Sequence, residues 1–141
     1  MSAIPTTWQQ QVAERSQYRC SYCQSQQRLM GVSLTIDHII PQSLGGATEL
    51  DNLCLACWDC NLVKGDRTTG IDSQTGMPVR LFNPNQQRWS DHFRWSDDGS
   101  HIIGVTPAGQ ATVIVLKLNR SQLVEARRYW VKAGWHPPTI D

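Results

Sequence analysis

Residues 34–46 read LTIDHIIPQSLGG, and the reading of this stretch decides the fold. Leu34, Ile36, Ile39 and Ile40 describe a short β-strand with a buried face. Asp37 and His38 sit side by side in the middle of it. A carboxylate and an imidazole inside an apolar strand are costly to desolvate unless something pairs with them. Neighbouring residues on a strand face opposite sides, so the two can serve different partners.

Cysteines flank the stretch on both sides. Cys20-x-x-Cys23 precedes it and Cys57-x-x-Cys60 follows, with residues 24–56 between the pairs. Tetrahedral zinc takes four thiolates, and a two-residue gap lets one tight turn present two sulfurs to one ion. A single pair is compatible with a redox centre, but two pairs with no βαβ context point to metal ligation. The fifth cysteine, Cys54, lies between Leu53 and Leu55 on a second expected strand and reads as a small buried residue. With all four positions filled by protein, the zinc is expected to be structural, holding together a core that two short strands and a short helix cannot secure alone.

Between and beside the knuckles stand Asp37, His38, Asn52, Asn61 and Lys64. Asn61 directly follows the last cysteine on the first turn of a short helix, and Lys64 lies three residues on, along the same face. A neutral imidazole can take a proton from water near neutral pH. One Asp and one Asn make a weak, open oxygen site suited to Mg²⁺ or Mn²⁺. The pattern C-x2-C … DHIIPxSxGG … DNLxLxCxxCNxxKG, from Cys20 to Gly65, resembles the HNH endonucleases and their ββα-metal (His-Me finger) motif.

The resemblance implies a role for each matching position. His38 is the general base, and Asp37 and Asn61 hold the single divalent cation, Mg²⁺ or Mn²⁺. Asn52 braces the loop and orients the base. Lys64 faces the substrate phosphates, though a lysine there equally suits the helix C-terminal dipole. Cys20, Cys23, Cys57 and Cys60 hold structural Zn²⁺. Asn61 stands where the letters H-N-H ask for a final histidine, so the chain is better described as H-N-N. The implied activity is hydrolysis of phosphodiester bonds in DNA, double-stranded for preference. The alternatives are a zinc-stabilised DNA-binding module without catalysis, or a structure-selective nuclease acting on branched DNA or on RNA.

The remainder of the chain reads as scaffold. A helix capped by Thr6 or Thr7, with Trp8, Val12 and Ala13 on one face, is expected to run to Tyr18. After Gly65, RWSDHFRWS (88–96) alternates, with Trp89, Phe93 and Trp95 on one face. HIIGV (101–105) and QATVIVLKL (110–118) read as strands separated by the turn TPAG. Asn119, with Gln122 three residues on, reads as the cap of a final helix striped by Leu123, Ala126, Trp130 and Val131. LFNPxxxxWxxHFRW and GxTxxGxATVxxLxLNR in this region resemble the tail of some bacterial HNH proteins. His92 and His101 read as ordinary core or surface histidines, and His136 as a tail residue.

The expected architecture is therefore α+β: a zinc-stabilised ββα-metal module over residues 1–69, and a β-hairpin-rich elaboration with a terminal helix over 70–141 that packs on it. The net charge of +1 excludes coating of nucleic acid by bulk electrostatics, so phosphate contacts must be local. Lys117–Lys132 carries five basic residues against Glu125, and Arg127 and Arg128 are its candidates for nucleic-acid contact. The longest apolar run, 111–116, is far too short to span a bilayer. The N-terminal MSAIPTTWQQQ lacks a basic stretch followed by an apolar one, so the expected location is the cytoplasm, with no membrane partner.

Overall fold

The structure is a computed structural model that describes residues 4–139; the first three residues of the N-terminal stretch lie outside it. The chain is α+β. Its elements run α1 (Thr6–Arg15), α2 (Gln27–Met30), β1 (Thr35–His38), β2 (Leu53–Ala56), α3 (Trp58–Lys64), β3 (Thr69–Ile71), β4 (Pro78–Arg80), α4 (Trp89–His92), β5 (Phe93–Trp95), β6 (Ile102–Gly104), α5 (Pro107–Val115) and α6 (Ser121–Lys132). They fall into two compact units. The first comprises the chain up to Thr68 together with Asn83–Gln86, and the second comprises Thr69–Phe82 and the chain from Gln87 onward.

In the first unit β1 pairs antiparallel with β2, placing Asp37 opposite Cys54 and His38 opposite Leu53. Val12, Ala13, Leu53 and Leu55 form a small core, with Trp8, Leu34, Ile36 and Leu50 packed against it. Pro5, not Thr6 or Thr7, occupies the N-cap position of α1, and it makes no side-chain capping bond. The helix ends at Arg15, short of Tyr18, because Gln17 and Tyr18 both take positive φ. The Arg15 guanidinium then donates to the carbonyls of Leu50 (3.0 Å) and Leu53 (2.9 Å), tying α1 to the start of β2. Leu50 lies in a 3₁₀ turn that leads into β2.

The loop between β1 and β2 explains its two glycines. Gly45 ends a 3₁₀ turn at φ +88°, where a side chain would be strained. Gly46 follows so close to the backbone of Ile40 and Pro41 that a Cβ would collide with their carbonyl oxygens.

The second unit holds two antiparallel hairpins, β3–β4 and β5–β6, with α5 packed across β3, β4 and β6. Here the structure departs from the sequence reading. The stretch QATVIVLKL is not a strand, because most of it forms α5. Thr106 starts that helix by accepting from Gly109 N at 3.0 Å, and Pro107 occupies the first turn. Cap and packing together override the strand preference of Thr112, Val113, Ile114 and Val115. TPAG is thus a helix start, and Gly109 is required because a Cβ would run into the His92 carbonyl.

RWSDHFRWS is also split: Trp89–His92 coils into α4 and only Phe93–Trp95 is extended. The three aromatics still cluster, with ring centroids 5.0 Å apart for Trp89–Phe93 and 5.5 Å for Trp89–Trp95. Asn119 does not cap α6. Its side chain instead bonds the backbone N–H and C=O of Ile102, both at 2.8 Å. His136 is buried rather than trailing, edge-on to Trp95 at 4.4 Å between ring centroids.

Arg127 is not a surface group. It is fully buried, donating to the carbonyls of Ser100 (3.1 Å) and Leu118 (2.8 Å) and to Asn119 Oδ1 (3.2 Å), with its guanidinium 5.2 Å from the Trp95 ring centre. A planar fork of donors suits this cluster of carbonyls better than an ammonium would. Arg128, one position on, is exposed. Replacing Arg127 by alanine is expected to cost about 3 kcal/mol or more, because buried carbonyls lose their donors. Arg128→Ala should stay within about 0.5 kcal/mol of the parent. Urea denaturation of the two variants measures the contrast.

Candidate active site

Two turns bring the four knuckle sulfurs together. In the first, Cys23 N donates to Cys20 Sγ at 3.5 Å, while Cys20 N–Ser25 O (3.0 Å) and Gln24 N–Cys20 O (2.9 Å) close the loop. Ser21 N donates to Leu55 O at 2.8 Å and fastens this knuckle to β2. In the second, Cys57 is the N-cap of α3, its sulfur accepting from Cys60 N at 3.4 Å. The four sulfurs are buried and lie within 4.8 Å of one another.

The geometry fits zinc. Four sulfurs at about 2.3 Å from a tetrahedral ion stand about 3.8 Å apart, and Cys23 Sγ and Cys57 Sγ are separated by 3.8 Å. Burial pushes the Cys20 thiol well up, whereas the hydrogen bond from Cys20 pulls Cys23 well down. Cys54 stays outside this set. Burial pushes its thiol up to about 12, and it points to Tyr22 Oη at 3.5 Å.

On the face of β1 that meets α3, Asp37 is almost completely buried. Its Oδ2 accepts from the Tyr22 hydroxyl at 2.7 Å and lies 3.2 Å from Lys64 Nζ. Burial pushes its carboxyl above the usual range, opposed by the Lys64 ammonium and the Tyr22 hydroxyl. Burial also keeps the Tyr22 hydroxyl protonated, by raising it well above its ordinary value.

Lys64 does not face outward toward phosphates, and it does not serve the end of its own helix. It is 2% exposed, and Nζ donates to His38 O (3.1 Å) and Ile39 O (3.0 Å) as well as to Asp37. The last turn of α3 points inward because Cys60, on the same side, is drawn into the sulfur cluster. Asn61 shares that helix. Its Nδ2 donates to Thr35 Oγ1 (3.1 Å) and to Ile36 O (3.4 Å), so the amide is held against β1. Where α3 crosses the strand, Lys64 thus meets Asp37, and Asn61 is held at Thr35 and Ile36.

His38 lies at the end of β1, half-buried, with Nε2 2.9 Å from Thr48 Oγ1. Thr48 also accepts from Gln42 Nε2 at 3.2 Å. Asn52 clamps the intervening loop: its Oδ1 accepts from Ile40 N (2.8 Å), and its Nδ2 donates to Ile40 O (3.0 Å) and Ala47 O (2.8 Å). The hydrogen-bond partner of the His38 ring is therefore Thr48 and not Asn52. Thr48 carries no signal in the sequence beyond following the Gly45-Gly46 turn. Tyr22 had one, since it is the only residue between Cys20 and Cys23 with a side chain long enough to reach away from the knuckle.

Residues 20–67 match the family model described as HNH endonuclease. The match spans both knuckles, the strand with Asp37 and His38, and the helix with Asn61 and Lys64. The likeness of this segment to that family points to nuclease activity on nucleic acid, and the tetracysteine cluster within it points to zinc. No curated protein and no solved structure matches the chain. Among the described residues no helix is long and apolar enough to cross a membrane.

Two outcomes test this arrangement. Cys57→Ser should lose the one zinc per chain that Cys54→Ala retains, as measured by metal analysis of the purified proteins. Lys64→Ala leaves the Asp37 carboxylate buried without its cation and should cost about 3–5 kcal/mol in urea denaturation. A cost below about 1 kcal/mol would mean that the pair is solvated.

Proposed function

We propose that the protein is a divalent-metal-dependent endonuclease that hydrolyses phosphodiester bonds in DNA. The observation that carries this reading is the crossing of α3 over β1, which sets the Asp37 carboxylate and the Asn61 amide on one side of the strand, with His38 the next residue along. The HNH match over residues 20–67 supports the same reading.

Hydrolysis needs an activated water, charge neutralisation at phosphorus and a stabilised leaving oxygen. His38 supplies the first. In the tautomer that donates Nε2–H to Thr48 Oγ1, Nδ1 carries the lone pair that takes the water's proton. Thr48 holds the position of the ring, Gln42 holds Thr48, and the Asn52 clamp holds the loop that carries Thr48.

Asp37 and Asn61 are the residues that would hold the cation. Because Asn61 Nδ2 is committed to β1, Oδ1 is its remaining ligand atom. A carboxylate and an amide oxygen suit Mg²⁺ or Mn²⁺, whereas the four thiols suit Zn²⁺ in a closed structural site. When bound, the divalent cation supplies electrostatic stabilisation of the phosphate and of the leaving oxygen.

A second reading, a zinc-stabilised nucleic-acid-binding module without catalysis, is favoured by one observation. Lys64 and Tyr22 already engage the Asp37 carboxylate, which is 4% exposed. Incubation with supercoiled plasmid in Mg²⁺, Mn²⁺ or EDTA separates the two. The nuclease reading expects metal-dependent nicking or linearisation, abolished in His38→Ala and slowed about tenfold or more in Thr48→Val. Plasmid retention on a gel with no cut under any metal would establish the binding module instead. Branched DNA and RNA substrates in the same assay decide the substrate class.

A further inference from the structure

Tyr22 has a position that the proposed chemistry does not by itself require. It stands inside the first knuckle, flanked by Ser21 and Cys23, and is 1% exposed. From there its hydroxyl reaches β1 and donates to Asp37 Oδ2 at 2.7 Å, the shortest contact that this carboxylate makes. The Cys54 thiol stands beside this bond, 3.5 Å from the Tyr22 oxygen and 3.9 Å from Asp37 Oδ2. The backbone of the knuckle is held on β2 through Ser21 N and Leu55 O, at 2.8 Å. A rigid path of one side chain therefore joins the sulfur cluster to the carboxylate.

We infer that Tyr22 is a positioning residue that couples the tetracysteine zinc site to divalent-cation binding at Asp37. The inference rests on the reading of Asp37 as a cation ligand. Its physical basis is twofold. The hydroxyl directs one carboxylate oxygen and so sets the rotation of the group, as partners of metal-ligating side chains do. It also stabilises the ionised carboxylate in a place where water cannot, and a cation requires that form. Lys64 shares this second task but hangs on a flexible stem and has two backbone carbonyls to turn to, at 3.1 and 3.0 Å. Tyr22 has no such freedom, because its ring is buried and its Cα lies between two sulfur ligands.

Coupling between two binding sites is reciprocal. Zinc that fixes the knuckle strengthens the cation site, and a cation on Asp37 slows the loss of zinc. Phenylalanine in place of Tyr22 keeps the ring and the knuckle and deletes only the hydroxyl, so the variant isolates the link.

The test uses the full-length zinc-loaded protein, its Tyr22→Phe variant and an Asp37→Ala reference. Free Mn²⁺ is followed by electron paramagnetic resonance to obtain affinity. Zinc release to a chromogenic chelator is timed with and without Mg²⁺. Tyr22→Phe is expected to retain one zinc per chain, to bind Mn²⁺ about tenfold more weakly and to lose the protection of zinc by Mg²⁺. Unchanged Mn²⁺ affinity together with unchanged Mg²⁺ protection in Tyr22→Phe would overturn the coupling, provided Asp37→Ala abolishes Mn²⁺ binding. Mn²⁺ binding that survives Asp37→Ala would instead overturn Asp37 as the ligand, and the coupling with it. Loss of zinc from Tyr22→Phe would show a role in holding the knuckle alone, and would also overturn the proposal.

Discussion

The meeting of two cysteine turns is the constraint on which the first unit depends. Cys23 and Cys57 are far apart in the chain, and their sulfurs lie 3.8 Å apart. That contact brings the loop of residues 20–25 against the start of α3. Each turn then delivers a side chain to the same strand. The first sends Tyr22 to Asp37, and the second starts the helix that carries Asn61 and Lys64 to β1. Among the described residues, Val12, Ala13, Leu53 and Leu55 with a few half-buried neighbours form a small apolar cluster beneath. A core that small stabilises little by itself, so metal binding to the thiols contributes folding free energy directly.

A second theme is the separation of charges by burial. Asp37 and Lys64 neutralise each other inside the unit, while His38 stays at the half-exposed end of β1 with a hydroxyl partner. Two adjacent residues of one strand thus live in opposite environments, and the alternation of the pleat produces this. Asn52 works at a distance from both. Its three hydrogen bonds close the loop of residues 40–47, and that loop places Thr48 on the histidine.

Much of this first unit is legible in the sequence, for a physical reason. Metal-ligand spacing, an Asp-His pair in an apolar frame and an asparagine beside a zinc ligand are local patterns whose chemistry constrains the fold. The antiparallel pairing of the strands and the helix after Cys57 follow from them. The inward turn of Lys64 does not, because a lysine three residues beyond Asn61 reads equally well as a surface group. The second unit is less legible. The β-branched run of 112–115 says strand, and only the capping hydroxyl of Thr106 and the close fit of Gly109 against His92 make it a helix. Arg127 reads as one charge among several on an amphipathic helix. Its interior role is set by three oxygen acceptors supplied by Ser100, Leu118 and Asn119, whose convergence no local pattern announces.

The inward turn of Lys64 has a consequence for ionic strength. Its ammonium lies among four oxygens of its own chain, two from Asp37 and one each from His38 and Ile39. Few counterions can enter between them, so dissolved salt scarcely screens these contacts. An amine bound to a polyphosphate backbone behaves in the opposite way, because salt returns counterions to the polymer and releases it. The strand end that carries His38 therefore keeps its shape over the whole range of salt in which nucleic acid can bind.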